Sequence, residues 1–286
     1  MLTIFTPTYN RAEEIKRLYN SLKQQNNKDF EWIVIDDGSS DNTAKVMAEI
    51  LSEKILDINF SSQENSGKMK AHNRGVEKAR GELFVCVDAD DWLTPDAVGQ
   101  IMAHRDKIGD SSVAGMLFND FDGISDKIVG SQFPWDEKLC SYYDVYNKEG
   151  VTGDKTPVFK TDVLKEFPFP EIEGEKFVPE ALVNYRISDK YVMLCINVAI
   201  KRVEYLADGY SNNYFNICRK NPIGQTIYYR ELYLRQPTLY NAAAYDMYCI
   251  YGKISIVKAI KEHPCPAVCL LMYIPAYIKY LLKERK

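Results

Sequence analysis

Leu83-Phe84-Val85-Cys86-Val87-Asp88-Ala89-Asp90-Asp91-Trp92-Leu93-Thr94-Pro95 is the stretch on which the fold turns. Five apolar residues, Leu83 to Val87, have the unbroken hydrophobicity of a strand buried on both faces, as in a mostly parallel sheet. The strand runs directly into three carboxylates, Asp88, Asp90 and Asp91. Open α/β sheets bind ligands at the carboxyl ends of their strands. Carboxylates crowded there repel one another unless a cation sits among them. A hard divalent ion with oxygen ligands, Mg²⁺ or Mn²⁺, suits the position and usually brings a substrate phosphate with it. The competing reading is a solvated acidic turn before a helix, since Thr94-Pro95-Asp96 is a good helix start.

The residues upstream favour the ligand site. Leu2 to Phe5 reads as a short strand followed by Thr6-Pro7-Thr8-Tyr9-Asn10-Arg11. Asn10 is placed to cap a helix to about Gln25, with Ile15, Leu18, Tyr19 and Leu22 as its apolar face. Phe30 to Ile35 is a second strand, ending in Asp36-Asp37-Gly38-Ser39-Ser40-Asp41, and Asp41 caps a helix carrying Val46, Ile50 and Leu51. Ile55 to Phe60 is a third strand; a polar loop, Ser61 to Gly67, leads into a helix from Lys68 to about Ala79. This β-α-β-α-β-α-β order with short connections predicts an α/β, doubly wound sheet. Polar clusters at Thr6–Tyr9, Asp36–Asp37 and Asp88–Asp91 then fall on one edge. Each alone is ordinary turn chemistry; repeated after successive strands, they indicate one shared site.

Beyond Asp91 the pattern changes. Val113 to Phe118 and Ile128 to Val129 read as strands around an acidic turn, Asn119 to Asp126. Thr161 to Phe167 is a brief helix stopped by Phe167-Pro168-Phe169-Pro170. Pro179 opens a helix to about Ile187 with Glu180 in its first turn. Tyr191 to Tyr205 reads as a strand pair, Asp208 to Asn213 as a turn or loop, and the chain from Pro222 as largely helical.

Composition sets the outer limits. The 286 residues allow one large or two small domains. A net charge of −4 with scattered Lys and Arg lacks the basic footprint of a nucleic-acid binder. Seven cysteines without a CxxC pair read as reduced thiols of a cytoplasmic protein, and the N-terminus does not resemble a signal peptide. Ala267 to Leu282 is apolar except for Lys279 and is followed by Lys283, Arg285 and Lys286. It is shorter than the roughly 20 residues of a spanning helix. It is either a core helix or an interfacial one, with Tyr273, Tyr277 and Tyr280 at headgroup level. The second reading places the protein peripherally at the inner face of the cell membrane.

Four motifs in order carry a resemblance: Thr6-Pro7-Thr8-Tyr9-Asn10-Arg11, Ile33 to Asp41, Asn65-Ser66-Gly67-Lys68 with Asn73-Arg74-Gly75, and Val87-Asp88-Ala89-Asp90-Asp91. Together they resemble the family 2 glycosyltransferases of the GT-A fold, of the bacterial capsular and cell-surface polysaccharide type. The resemblance implies a GT-A domain over 1–215, its 1–100 half binding nucleotide and its 101–215 half binding acceptor, with a helical extension over 216–286. By position it implies that Thr6, Pro7, Thr8 and Tyr9 line the nucleoside pocket. Asp37 would accept a base N–H, which suits uracil, and Lys68 would stand near the nucleotide. Asp88 would sit by the ribose or the metal, and Asp90 would ligate Mg²⁺ or Mn²⁺. His72 departs from the Arg common beside the Asn.

The implied reaction moves a sugar, with inversion, from a nucleotide-sugar donor, expected to be a UDP-sugar, to a hydroxyl of a glycan or lipid-linked acceptor. Such a hydroxyl needs a general base. Relatives carry a Glu-Asp pair at a helix start with a following Arg. Counting back from Arg186 puts Glu180 at the base position, with Pro179 replacing the preceding Glu. The alternative for Glu180 is a first-turn acid stabilised by the helix dipole. Glu175 is the next candidate. Asp154 would meet acceptor or donor sugar, and Arg219, in a loop over Asp208 to Gly224, would serve a lid over the diphosphate. Two other classes compete: a non-catalytic sugar-nucleotide-binding scaffold, and a haloacid-dehalogenase-like phosphatase. The latter's Asp-x-Asp comes early in the chain, with Thr or Val where Trp92 stands here.

Overall fold

Leu2–Thr8 (β1) and Phe30–Asp36 (β2) are buried at every position. That requires cover on both faces of the sheet, and alternation along the strands sorts the side chains. Leu2, Ile4, Trp32, Val34, Leu83 and Val85 join one core cluster with Ile15, Leu18 and Leu22 of α1 (Glu14–Lys23), Met47 and Ile50 of α2 (Thr43–Glu53), and Val98 and Ile101 of α4 (Ala97–Ala103). The opposite face, with Thr3, Phe5 and Glu31, receives α3 (Lys68–Lys78). A Cβ at Gly75 would stand 2.4 Å from the Phe5 ring, so the glycine of Asn73-Arg74-Gly75 is what lets α3 sit down on β1.

The computed structural model describes residues 1–205 and 210–284. They form a nine-stranded sheet of order β3-β2-β1-β4-β8-β6-β9-β5, with β7 on β9. The first four strands, with β3 at Ile58–Ser62 and β4 at Leu83–Cys86, are parallel. β5 (Trp92–Leu93) pairs antiparallel with β9 (Val192–Val203). β6 (Val113–Asp122) pairs antiparallel with β8 (Lys155–Lys160) and parallel with β9, and β7 (Glu137–Cys140) is antiparallel to β9. Short helices α5 (Tyr142–Asn147) and α6 (Thr161–Glu166) follow β7 and β8, and α7 (Glu180–Ser188) precedes β9.

The chain divides into two compact units, Met1–Phe169 with Val183–Leu206, and Pro170–Leu182 with Ala207–Lys286. The second carries α8 (Tyr210–Lys220), α9 (Pro222–Arg235), α10 (Leu239–Tyr251), α11 (Ile256–Glu262) and α12 (Pro266–Glu284). Its core gathers Tyr245, Cys249, Ala259 and Cys269. All seven cysteines are free thiols.

Local readings are corrected in five places. The residue before α1 is Glu13, not Asn10, which takes a positive φ of 51° and accepts the Ser40 N–H. Asn42 precedes α2, although Asp41 still accepts the first helical N–H, that of Thr43. Tyr191 to Tyr205 is not a strand pair but one long strand, Val192–Val203, which Asn197 does not break. The acidic turn starts later than its sequence suggests: β6 continues through Asn119 and Asp120, both buried, and Ile128 makes only an isolated bridge to Phe121. Of the segment read as a loop, Asp208 and Gly209 lie outside the described residues and the remainder through Lys220 is α8.

Candidate active site at the strand ends

The turn after β4 is built by the backbone. Val87 N–H donates to Phe5 O at 2.9 Å, extending the β1 ladder, and Asp91 N–H donates to Asp88 O at 3.0 Å, closing a four-residue turn. Three carboxylates leave this turn in three environments. Asp88 accepts Lys68 Nζ at 2.7 Å. Burial pushes its carboxyl up, but Lys68 and Lys201 outweigh it and hold it below the ordinary range. Asp91 is buried, with Lys201 Nζ 3.0 Å from Oδ2 and the Glu204 N–H 3.3 Å from Oδ1. Asp90 has no ion-pair partner within 4 Å among the described residues. Its burial, with Asp88 and Asp91 beside it, raises its pKa to about 6.

Two side chains far away in sequence clamp this turn. Arg17 of α1 donates through Nη2 to Asp90 O at 2.5 Å, lies 4.0 Å over the Trp92 ring, and pairs through Nη1 with Glu204 at 2.5 Å. Lys201 comes from the other side. Register shifts in the β6–β9 ladder set Asp120 opposite Lys201, with Asp120 Oδ2 at 3.8 Å from Nζ. Thr156 Oγ1 donates to Asp120 Oδ1. Fully buried, Asp120 is pushed up to about 6 by desolvation, which Lys201 only partly offsets. Lys201 itself is desolvated, yet Asp120, Asp91 and Asp88 hold it protonated well above the usual lysine range. Asp154, exposed at the head of β8, adds to this negative field and accepts Tyr205 OH at 2.9 Å.

The other motifs divide between site and scaffold. Asp37 Oδ1 accepts Gln63 Nε2 at 2.6 Å and Ser66 N–H at 2.8 Å, and Oδ2 accepts Gly67 N–H at 2.8 Å. A carboxylate has about four acceptor positions, so one remains for a base. Arg74 holds Gln63 in place through its Oε1. Asn73 exchanges two 2.9 Å hydrogen bonds with the Phe169 backbone. His72 is boxed edge-on by Phe5, Phe84 and Phe169 at 5.1–5.6 Å between centroids, and it adds to the positive field that lowers Asp88. Thr6 requires a correction: its hydroxyl lies in the core and accepts Trp32 Nε1 at 2.9 Å, so it does not line an open pocket. Pro7 is buried as well. Thr8 Oγ1 is buried without a hydrogen-bond partner among the described residues, and Tyr9 is 49% exposed.

The second unit holds the remaining candidates. Glu175 is buried, and its two oxygens accept Ile223 N–H at 2.6 Å and Gly224 N–H at 2.8 Å, capping α9. Buried there, Glu175 serves the start of α9. Glu180 is exposed in the first turn of α7, and Arg219 lies in the last turn of α8 instead of a loop.

Among the described residues no group of three His, Cys, Asp or Glu side chains converges as a metal cage. The donor set instead fits an ion held by one or two carboxylates and completed by diphosphate and water. Asp90, a half-buried carboxylate with no ion pair within 4 Å among the described residues and only the charge of Arg11 to offset Asp88 and Asp91, is placed to take such an ion.

A family model described as "Glycosyl transferase family 2" matches residues 3–161, more than half of the chain. The chain belongs to glycosyl transferase family 2.

This transferase is 38% identical over 98 residues, 34% of its length, to the teichoic acid poly(glycerol phosphate) polymerase of Staphylococcus epidermidis, covering 14% of that protein. It is 28% identical over 176 residues, 59% of its length and 55% of the relative, to a GalNAc(5)-diNAcBac-PP-undecaprenol beta-1,3-glucosyltransferase of Campylobacter jejuni. The transferase thus spans about half or less of these relatives. Among solved structures, Staphylococcus aureus TarS 1-349 in complex with UDP-GlcNAc superimposes with a TM-score of 0.65 at 17% identity, covering 99% of this chain and 91% of that one. A mannosyltransferase from Pyrobaculum calidifontis in complex with GDP-Man and Mn²⁺ gives 0.57 at 18% identity, covering 99% and 84%. At these identities the likeness establishes the GT-A fold.

Proposed function

We propose that this transferase moves a sugar from a UDP-sugar to a hydroxyl of a cell-surface glycan or lipid-linked saccharide, inverting the anomeric centre. The observation that carries the reading is Asp90: a half-buried carboxylate without an ion pair within 4 Å among the described residues, at the end of the central strand, in a turn clamped from two sides. Asp90, with Asp88 beside it, would hold Mg²⁺ or Mn²⁺, which as a Lewis acid stabilises charge developing on a departing diphosphate. Asp37 offers its remaining acceptor position to a base N–H, and Tyr9 offers an exposed ring face. Lys68, already next to Asp88, contributes positive charge near the nucleotide. Glu180 takes the proton of the acceptor hydroxyl. Asp154 and Arg219 are the proposed further contacts to sugar and diphosphate.

The neighbour bound to UDP-GlcNAc supports uridine, and the one bound to GDP-Man makes guanosine the rival. Calorimetric titration of UDP, GDP, CDP and dTDP, with and without Mn²⁺, tests the choice. Metal-dependent UDP binding is expected, with a loss of about 100-fold in Asp90→Ala. Because Asp90 must be deprotonated to ligate, metal affinity should fall as pH drops through about 6. Binding of no nucleotide under any condition would sink the donor assignment.

A lipid surface is the proposed neighbour of α12. Leu270, Leu271, Ile274, Tyr277, Ile278, Leu281 and Leu282 are 40–69% exposed along one stripe of this helix. Residues 253–286 carry seven basic against two acidic side chains in a chain that is acidic overall. An amphipathic helix within a segment of that charge suits anionic headgroups. No helix among the described residues is long and apolar enough to cross a membrane. The protein should co-sediment with anionic but not zwitterionic vesicles, and Ile274→Glu should abolish it. Equal recovery with both vesicle types, or with neither, would remove the idea.

A further inference from the structure

We infer that Lys201 is a positioning residue of the transfer site: it ties Asp91 to Asp120 and so leaves Asp90 as the one carboxylate of the turn without an ion pair within 4 Å among the described residues. The inference rests on the proposed nucleotide–metal site and adds to it a residue 110 positions downstream of the Asp-x-Asp-Asp turn.

The argument starts from crowding. Asp88, Asp90 and Asp91 lie within four residues, and Asp120 is brought to the same point by β6. Four negative charges at one spot would repel a diphosphate as strongly as they attract a metal. Two cations resolve this by taking one carboxylate or more each. Lys68 pairs with Asp88 at 2.7 Å. Lys201, largely buried itself, stands 3.0 Å from Asp91 Oδ2 and 3.8 Å from Asp120 Oδ2. The Asp120 oxygen that faces Lys201 makes no hydrogen bond of its own, so Lys201 is its source of neutralisation among the described residues. Asp91 receives a second tether, the Glu204 N–H at 3.3 Å. Glu204 in turn pairs with Arg17, which grips the Asp90 carbonyl. The same hand therefore pulls Asp91 inward and fixes the backbone from which Asp90 points.

A lysine with only a packing role would be replaceable by methionine with a loss of stability alone. A lysine that restrains Asp91 has a different signature. In Lys201→Met, Asp91 is released beside Asp90 and the turn gains one net negative charge. Mn²⁺ added without nucleotide then binds more tightly, whereas UDP added with Mn²⁺ binds more weakly. The UDP change should be roughly tenfold, the scale of one unit charge acting on another across about 10 Å at an effective dielectric near 20, and the Mn²⁺ change at least about tenfold, since the free energy doubles for a divalent ion. Lys201→Met with Asp91→Asn removes both charges together, and both affinities should return to within about threefold of wild type. Lys201→Arg should also restore them.

Calorimetry of Mn²⁺ alone and of UDP with Mn²⁺ reads these variants, with Tm recorded for each. Opposite shifts in Lys201→Met and recovery in the double variant support the inference. Parallel losses in both titrations, or no recovery, overturn it and leave Lys201 a structural residue. If Lys201→Met does not fold, Asp91→Asn decides: the turn then loses one negative charge while Lys201 stays, so Mn²⁺ alone should bind more weakly and UDP with Mn²⁺ more tightly, the mirror image of Lys201→Met, whereas parallel losses in both titrations overturn the assignment. Wild type that binds Mn²⁺ but no nucleotide would sink the donor reading, and the Mn²⁺ titrations would still test Lys201.

Discussion

Glu180→Gln should lower kcat by a factor of about 10²–10⁴, the range a positioned general base contributes. UDP binding with Mn²⁺ should stay within about threefold of wild type, since the change removes a transition-state role and leaves ground-state binding of the donor alone. The expectation rests on the different placement of the two candidate carboxylates. Glu175 has both carboxylate oxygens engaged by the first N–H groups of α9, so Glu175→Gln should be read in Tm before it is read in rate. Glu180 is exposed in the first turn of α7 and retains the geometry of an acid that can meet solvent or substrate. An acceptor hydroxyl is a weak nucleophile near neutral pH, and a carboxylate that removes its proton in the transition state is the simplest remedy available to this chain. Donor hydrolysis and sugar transfer should be measured together: transfer lost with donor hydrolysis kept would fit the role as well, whereas an unchanged kcat would remove Glu180 from it.

The first half of the sheet was legible because its signals are local. Each strand is a short apolar run, each turn carries Asp, Gly or Ser, and the period changes cleanly between strand and helix. The Asp88–Asp91 turn announces itself by the same token. What holds that turn was not legible. Arg17 reaches Asp90 across 73 positions, and Glu204 reaches Asp91 across 113. An isolated Arg on an amphipathic helix has the ordinary appearance of a solvated residue. Asp120 sits in Asn119-Asp120-Phe121-Asp122, which reads as a turn because Asn and Asp favour turns. It is strand because Lys201 and Thr156 satisfy its carboxylate inside the sheet. Thr6 failed in the opposite sense. A hydroxyl at a strand end looks like a ligand contact, but alternation along β1 turns it toward Trp32. A signal that could have exposed Lys201 is its place at the end of a mostly apolar strand run, Val192 to Ile200, where a lysine needs a buried partner.

The same reasoning identifies the chain's most sensitive structural carboxylate. Glu31, the second residue of β2, is 1% exposed. It accepts Thr3 Oγ1 at 2.7 Å, Arg80 N–H at 2.7 Å, Arg80 Nε at 2.7 Å and Gly81 N–H at 3.2 Å. One side chain thereby joins β1, β2 and the connection from α3 into β4, and so sets the register of the strand that ends at Asp88. Glu31→Ala leaves buried donors without an acceptor and should cost about 3–5 kcal/mol in chemical denaturation at neutral pH. The pH dependence follows from the direction of its shift. Burial pushes the carboxyl up, but Thr3, the Arg80 N–H and the Arg80 guanidinium together hold it below the ordinary 4.5. A carboxyl depressed in the folded state adds stability that is fully present above its unfolded pKa and is lost as pH falls through the folded one. The gap between wild type and Glu31→Ala should therefore be constant from neutral pH down to about 5 and narrow below about 4. A gap that stayed constant into strong acid would mean that the loss comes from packing alone, and that the carboxylate charge at the root of β2 contributes nothing to holding the site strand in register.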